Sequence, residues 1–202
     1  LSLCNKNFQK INNDDSGKAK DDLLAEVCYA AKFEAESLIP YHAQYQEKYG
    51  DFGSTICTVL ARSFADIGDI VRGRDLYLGN KKKNQQVRER DQLESKLKEI
   101  FKNIYNELTT SGKKKEEAKE RYEGDTENYY KLREDWWALN RQDVWKAMTC
   151  SEQLSNASYF RVTCNDSGTL SQANDKCRCK DKKGRPDDQV PTYFDYVPQY
   201  LR

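Results

Sequence analysis

Residues 57–79, CTVLARSFADIGDIVRGRDLYLG, carry the pattern that decides the fold. Four apolar side chains recur there at helical spacing and share one face: Leu60, Phe64, Ile67 and Val71. This spacing predicts an amphipathic α-helix of several turns. Gly68 lies in its middle, where glycine weakens a helix by about 1 kcal/mol relative to alanine. Because glycine has no side chain, we expect a second helix to approach closely at this point.

The second helix is expected over residues 134–150, EDWWALNRQDVWKAMTC, which contain all three tryptophans of the chain. We expect the two helices to cross with indole rings packed over Gly68. Core packing of the tryptophans is favoured over stacking on sugar rings, because they lie at helical positions among aliphatic residues. The charged residues expected to close a partly buried ionic network are Arg62, Asp66, Asp69 and Arg72. The predicted core comprises Leu60, Phe64, Ile67, Gly68, Val71, Trp136, Trp137, Val144 and Trp145.

The helical pattern extends over most of the chain. Helices are predicted over residues 18–39, 54–76, 86–108 and 126–149, with a short charged helix ending near residue 123. Pro40 is expected to end the first of them. After Cys150 the helical period is lost, and a long polar region leads to extended or turn-like residues from Val190 to Tyr200. The predicted fold class is all-α: a disulfide-stapled antiparallel helical bundle with long polar loops.

Composition sets limits on function. The 202 residues carry 34 basic and 33 acidic side chains, a net charge of +1. This balance provides no global positive field, so nucleic acid is not an expected partner. No run approaches the roughly 20 apolar residues of a membrane helix, so no membrane span is expected in this fragment. The chain begins at Leu1 rather than at a methionine, which we interpret as the start of an excised fragment.

The seven cysteines indicate disulfides. Cys150, Cys164, Cys177 and Cys179 lie in the polar C-terminal region, which is typical of an extracellular or lumenal protein. A zinc site is the alternative, but the Cys177-Arg178-Cys179 spacing is too short and no second pair or nearby histidine completes four ligands. Because the count is odd, one cysteine has no partner within the fragment, and Cys4 at its edge is the natural candidate.

No arrangement typical of an enzyme is present. His42, the only histidine, lies in a tyrosine-rich stretch without a nucleophile signature. Asp66 and Asp69 share a helix face but are flanked by arginines, which favours a structural ion network over acid–base catalysis. The glycines after Gly68 lack the spacing and the GK[ST] of a phosphate loop. We expect no catalytic residue, cofactor or metal.

Two basic clusters are the candidate binding residues. Clustered cations bind sulfated glycans by releasing counterions, as they do with phosphates. The acidic residues that interleave with them, such as Glu89 and Glu116, leave an ordinary solvated charged face as an equal alternative. The candidate glycan-binding residues are Lys81, Lys82, Lys83, Arg88 and Arg90 in the first cluster and Lys113, Lys114, Lys115, Lys119 and Arg121 in the second.

Several long motifs resemble one known family. ARSFADIGDIVRGRDLYLG, LREDWWALNRQDVWKAMTC, ANDKCRC and VPTYFDYVPQYLR are similar to blocks of the Duffy-binding-like alpha domain of the Plasmodium falciparum erythrocyte membrane protein family. LLAEVCYAAKFEAESL matches a further block. The family domain has three subdomains, and the resemblance implies that residues 1–17 are the end of the first and a linker. Residues 18–189 would be the second, a helical bundle with cysteine-rich C-terminal loops, and residues 190–202 would lead into the third.

The resemblance implies adhesion at the surface of infected red cells. Expected partners are host receptors or sulfated glycans, including heparan-sulfate-like chains in rosetting, together with neighbouring subdomains and antibodies. The other hypothesis is a scaffold with an antigenically variable surface, whose binding chemistry lies in neighbouring domains.

The resemblance also implies a disulfide pairing. Some relatives lack both equivalents of Cys28 and Cys150, which implies the pair Cys28–Cys150. Such relatives keep the equivalents of Cys57 and Cys179, which implies Cys57–Cys179 and leaves Cys164–Cys177. Six cysteines allow fifteen connectivities, and Cys177 and Cys179 could exchange roles.

Overall fold

The structure, a computed structural model, describes residues 19–50, 55–75, 89–110, 115–166, 168–181, 183–185, 187 and 189–202. Over these residues the chain is mainly helical. The helices are α1 (Ala19–Tyr49), α2 (Ile56–Arg72), α3 (Glu89–Thr110), α4 (Lys115–Arg121) and α5 (Tyr130–Met148). Single 3₁₀ turns span Glu152–Leu154, Phe194–Tyr196 and Gln199–Leu201. In the described ranges, no helix combines the length and apolar character needed to cross a membrane.

The core lies where α5 packs against α1 and α2. All nine residues predicted for the core are buried. The face that α1 turns inward is rich in small side chains, with Ala30, Ala31 and Ala35 buried, and small side chains let helices pack closely. The helix α3 completes the bundle by burying Leu93 and Leu97, with further apolar residues one and two turns on. The fold is therefore a helical bundle, as the periodicity predicts.

The crossing of α2 and α5 centres on Gly68. A Cβ atom added there would lie 2.8 Å from Cζ2 of Trp137, which is closer than Cβ atoms in proteins approach other side chains. The Trp137 ring also packs against Phe64, with ring centroids 5.1 Å apart, and Trp145 meets Phe64 edge-on at 5.2 Å. The prediction that an indole lies over Gly68 is confirmed.

Both ends of α2 are capped. The Thr55 side chain accepts a hydrogen bond from the Thr58 amide at 3.3 Å, which satisfies one of the free donors of the first turn. At the other end Gly73 adopts a left-handed conformation with φ 72°, and its amide donates to carbonyls of the last turn. These caps fix the position of α2 in the sequence.

Two predictions about secondary structure were wrong. The helix α1 continues through Pro40 to Tyr49, although proline removes one main-chain hydrogen bond. Ile39 is its last buried residue, so packing holds the helix only up to the proline. The polar region after Cys150 also contains a small antiparallel hairpin of β1 (Val162–Asp166) and β2 (Thr169–Gln172).

Candidate functional site

Arg133, in α5, lies fully buried beneath the end of α2. Its Nε donates to the Val71 carbonyl at 2.6 Å, and its Nη2 donates to the Ile70 carbonyl at 3.0 Å. These carbonyls carry the partial negative charge of a helix C-terminus, which favours a cation. Nη1 and Nη2 also donate to the two carboxylate oxygens of Glu94 at 2.7 and 2.9 Å. One guanidinium thus joins α2, α3 and α5.

Gly73 makes room for that guanidinium. A Cβ atom added at this glycine would lie 2.9 Å from Cζ of Arg133. The ring of Phe101, on α3, lies on the guanidinium at 5.5 Å, a cation–π distance. The guanidinium of Arg133 is therefore packed between the glycine that ends α2 and an aromatic ring of α3.

A second buried network holds the C-terminal segment, residues 190–202, against α2 and α5. The Asp195 carboxylate accepts hydrogen bonds from Trp137 Nε1 at 2.9 Å and from Arg141 Nε and Nη2 at 2.8 Å each. Its main-chain carbonyl accepts from Nη2 of Arg72. Asp195 is buried, and three donors satisfy its charge. This carboxylate links the segment to α5, and the main-chain carbonyl of the same residue links it to α2.

The two aspartates of α2 take part in the same attachment. Arg202 Nη1 donates to Asp66 at 3.0 Å, and Arg202 Nη2 donates to Asp69. Asp69 also accepts from Arg72 Nη2 at 2.9 Å. Burial raises the pKa of both carboxyls, and the Arg202 charge opposes this shift. The carboxylates serve as ion-pair partners, the structural role favoured by the sequence.

The structure describes four of the ten candidate glycan-binding residues. Arg90 pairs with Asp75, Lys119 with Glu116 at 3.2 Å, and Arg121 with Asp135 through bonds of 2.6 and 2.7 Å. Lys115 is exposed at the start of α4. The remaining candidates, Lys81, Lys82, Lys83, Arg88, Lys113 and Lys114, lie outside the described residues. Carboxylates therefore offset the charge of three of the four basic residues that can be assessed.

The disulfides differ from the implied pairing. Cys57 bonds Cys177 and Cys164 bonds Cys179, so Cys57–Cys179 and Cys164–Cys177 were wrong and the two tail cysteines exchange roles. The Cys177 carbonyl accepts a hydrogen bond from Trp145 Nε1 at 3.1 Å, which holds Cys177 on the core side, near Cys57 in the first turn of α2. All four residues are buried in disulfides, which contradicts the zinc alternative.

Cys28 and Cys150 carry free thiols, so the third implied bond was also wrong. Burial, with a smaller contribution from the negative charge of Asp143, raises the pKa of Cys28 to about 11. Cys4 lies outside the described residues.

Two important residues were missed at the sequence level. Arg133, Trp137 and Val144 share the apolar stripe of α5 at helical spacing, and this placement was a signal that Arg133 would be buried. Asp195 gave no such signal, because its partners are 54 and 58 residues away in the sequence. Within the described ranges, no three His, Cys, Asp or Glu side chains are grouped closely enough to hold a metal ion.

Comparison with known proteins identifies the family of the chain. Residues 1–202 match the Duffy binding domain family. The NTS-DBL1(alpha-1) domain of the Plasmodium falciparum membrane protein PfEMP1 from the varO strain is 40% identical, with a TM-score of 0.72 over 98% of this chain. This chain covers 39% of that one. No curated protein matches the chain.

Two further solved structures are similar. The ICAM-1-binding PfEMP1 IT4var13 DBLbeta domain is 31% identical, with a TM-score of 0.62, over 99% of this chain and 39% of its own. A second PfEMP1 DBLb domain, bound to human ICAM-1, is 25% identical, with a TM-score of 0.55, over 100% of this chain and 34% of its own. The chain therefore spans well under half the length of these relatives.

Proposed function

Because the chain belongs to the Duffy binding domain family, we propose that it is part of an extracellular adhesion module exported to the surface of malaria-infected red cells. The observation that carries this proposal is the likeness to a PfEMP1 DBL1-alpha domain at 40% identity over nearly the whole chain. The module would bind a host-cell receptor or a sulfated glycan, as in rosetting and cytoadherence. We propose no catalytic role.

A protein receptor is supported by two similar structures that are described as binding, or bound to, ICAM-1. Both are DBLbeta domains, and this chain matches only 39% and 34% of their lengths. For the present chain we therefore propose only the class of partner, which is a host surface protein.

A sulfated glycan is supported by the lysines in the segments that flank α3. Lys81, Lys82 and Lys83 are consecutive, as are Lys113, Lys114 and Lys115, and such clusters attract polyanions through counterion release. The basic residues nearer the helices, Arg90, Lys119 and Arg121, are already paired with carboxylates. We therefore propose that the two lysine triplets, rather than the paired residues, contribute most to glycan binding.

The alternative proposal is a scaffold with an antigenically variable surface, recognised by antibodies, whose neighbouring subdomains do the binding. The two buried networks support it, because they place arginines where they stabilise the fold instead of contacting a ligand. Chromatography on immobilised heparin separates the two proposals. The adhesion proposal predicts retention that falls steeply as salt rises.

The matched variants carry three Lys→Gln changes each. The test variant changes Lys81, Lys82 and Lys83, and the control changes Lys20, Lys102 and Lys131, which are exposed but scattered. If a triplet binds the glycan, the test variant elutes at clearly lower salt than the control, although both lose the same charge. Flow-through of the unmodified chain at low salt would favour the scaffold, whereas equal elution of the two variants would contradict a role for the first triplet.

A further inference from the structure

The helix α1 turns small side chains inward and aromatic side chains outward. Its buried residues include Ala30, Ala31 and Ala35, whereas Tyr29 is 55% exposed and Phe33 is 43% exposed. The two exposed rings stack with their centroids 6.4 Å apart. An amphipathic helix normally shows the opposite arrangement, because large apolar side chains are most stable away from water. The exposed aromatic pair therefore makes the outer face of α1 a candidate contact surface.

Carboxylates lie on both sides of the aromatic pair along the same face of α1. Residues that recur at steps of three or four lie on one side of a helix. The residues in this position are Asp22, Glu26, Tyr29, Phe33 and Glu36, and we call them the outer α1 stripe. The stripe therefore combines an apolar centre with negative charge at both ends.

The carboxylates at the N-terminal end of the stripe have no cation beside them. In the described part of the chain, neither Asp22 nor Glu26 pairs with a lysine or an arginine. Burial, with a smaller contribution from the negative charge of Asp22, raises the pKa of Glu26. At the other end, Glu36 lies 3.9 Å from Lys32, and both side chains are about half exposed. A cation on a partner would be attracted by Asp22 and Glu26 together, whereas a sulfated glycan would be repelled.

We propose that the outer α1 stripe is a docking surface for a basic segment of a host surface protein. The segment would place apolar side chains on Tyr29 and Phe33 and lysine or arginine side chains opposite Asp22 and Glu26. Charge complementarity selects this occupant, and aromatic residues and arginine are enriched in protein interfaces. The inference deepens the proposed adhesion function and rests on it for the class of partner. It assigns protein binding to α1, apart from the lysine triplets proposed for glycans.

Binding of the labelled chain to uninfected erythrocytes tests the proposal by flow cytometry, after heparin lyases have removed sulfated glycans from the cells. The variant Tyr29→Ala with Phe33→Ala should bind these cells several-fold less than the unmodified chain. The control, Tyr130→Ala with Leu139→Ala, removes two exposed apolar side chains from α5 and should bind as the unmodified chain does. Equal binding of the two variants, or no binding of the unmodified chain to the treated cells, would overturn the proposal.

A charge reversal sharpens the test, because protein and glycan partners respond to it in opposite directions. Asp22→Lys with Glu26→Lys should lower binding to the treated erythrocytes several-fold, while retention on immobilised heparin stays the same or rises. The control, Glu99→Lys with Glu120→Lys, changes two exposed carboxylates on α3 and α4 and gives the same net charge. Cell binding by the test variant that equals or exceeds that of this control would overturn the proposal. Heparin retention is a separate readout, so this proposal and the adhesion proposal can fail separately.

Tyrosine nitration followed by peptide mass spectrometry shows whether the stripe is free in the parent protein. The nitration rate of Tyr29 would be compared between the 202-residue chain and a longer chain that contains it, with the exposed Tyr41 and Tyr130 as references. We expect the same rate at Tyr29 in both chains. Nitration of Tyr29 that is several-fold slower in the longer chain would mean that the polypeptide itself covers the stripe, and would overturn the proposal.

Discussion

Arg121 and Arg133 are twelve residues apart, and each pairs with one carboxylate through two hydrogen bonds. The Arg121 side chain is 64% exposed and binds Asp135, whereas Arg133 is fully buried and binds Glu94 together with two carbonyls at the end of α2. In water an ion pair gains little, because both charges are already well solvated. In the core, removing one partner leaves a charge without solvation. Burial, rather than charge, therefore decides how much a basic residue of this chain contributes to the stability of the fold.

The largest loss of stability is expected from Arg133→Met, which keeps the bulk of the side chain and removes the charge. Glu94 and the carbonyls of Ile70 and Val71 would lose their donor. We expect a loss of about 3 kcal/mol in the free energy of unfolding, the low end for a broken buried pair, because Glu94 is partly exposed. Urea unfolding followed by circular dichroism measures it.

A milder variant guards against complete loss of folding. Arg133→Lys keeps the charge but not the two-pronged geometry, so an intermediate loss is expected. A change in unfolding free energy for Arg133→Met no larger than that for Arg121→Gln would contradict the contrast between the two arginines.

Gly73→Ala tests the importance of the buried Arg133 by crowding the space that its guanidinium occupies. Alanine at φ 72° costs roughly 1–2 kcal/mol, and its Cβ would also press on the Arg133 guanidinium. Gly124→Ala is the matched control, since Gly124 has φ 77° but no atom within 4 Å of the added Cβ. We expect Gly73→Ala to cost about 1–3 kcal/mol more than the control, the usual range for overpacking. Equal losses in thermal unfolding would mean that the guanidinium moves aside freely.

These residues show how much of the molecule could be predicted. The Leu60, Phe64, Ile67 and Val71 stripe and the close contact at Gly68 follow from helical periodicity, a local property. The partners of Asp195 and the choice between Cys177 and Cys179 depend on contacts between distant residues, which periodicity does not encode. The prediction that Pro40 ends the first helix was wrong, because the tendency of proline to end helices is only an average. The helix α1 continues through Pro40. The lysine triplets remain a prediction, because most of them lie outside the described residues.

The smallest expected effect is the contribution of the exposed Arg121–Asp135 pair to the pH dependence of stability. The hydrogen bond from Arg121 lowers the pKa of Asp135. A lowered pKa in the folded state contributes stability above the unfolded value near 3.9, and this contribution is lost as pH falls through the folded value. Asp135→Asn should therefore lose slightly less stability than the unmodified chain between pH 5 and pH 2. Asp66, which is half-buried, and Asp69, which is buried, act in the opposite direction, because burial raises their pKa.

Urea unfolding of both proteins across that range measures the difference. Identical pH profiles would show that the surface pair is broken in solution.

Two double-mutant cycles in the same chain test the central claim most directly. One cycle combines Arg133→Met with Glu94→Gln, and the other combines Arg121→Gln with Asp135→Asn. Each cycle isolates the coupling between two charged partners from their other contacts. We predict a coupling free energy for Arg133 and Glu94 several times that for Arg121 and Asp135. Equal couplings, or a larger one for the exposed pair, would contradict the claim that burial decides the role of the basic residues.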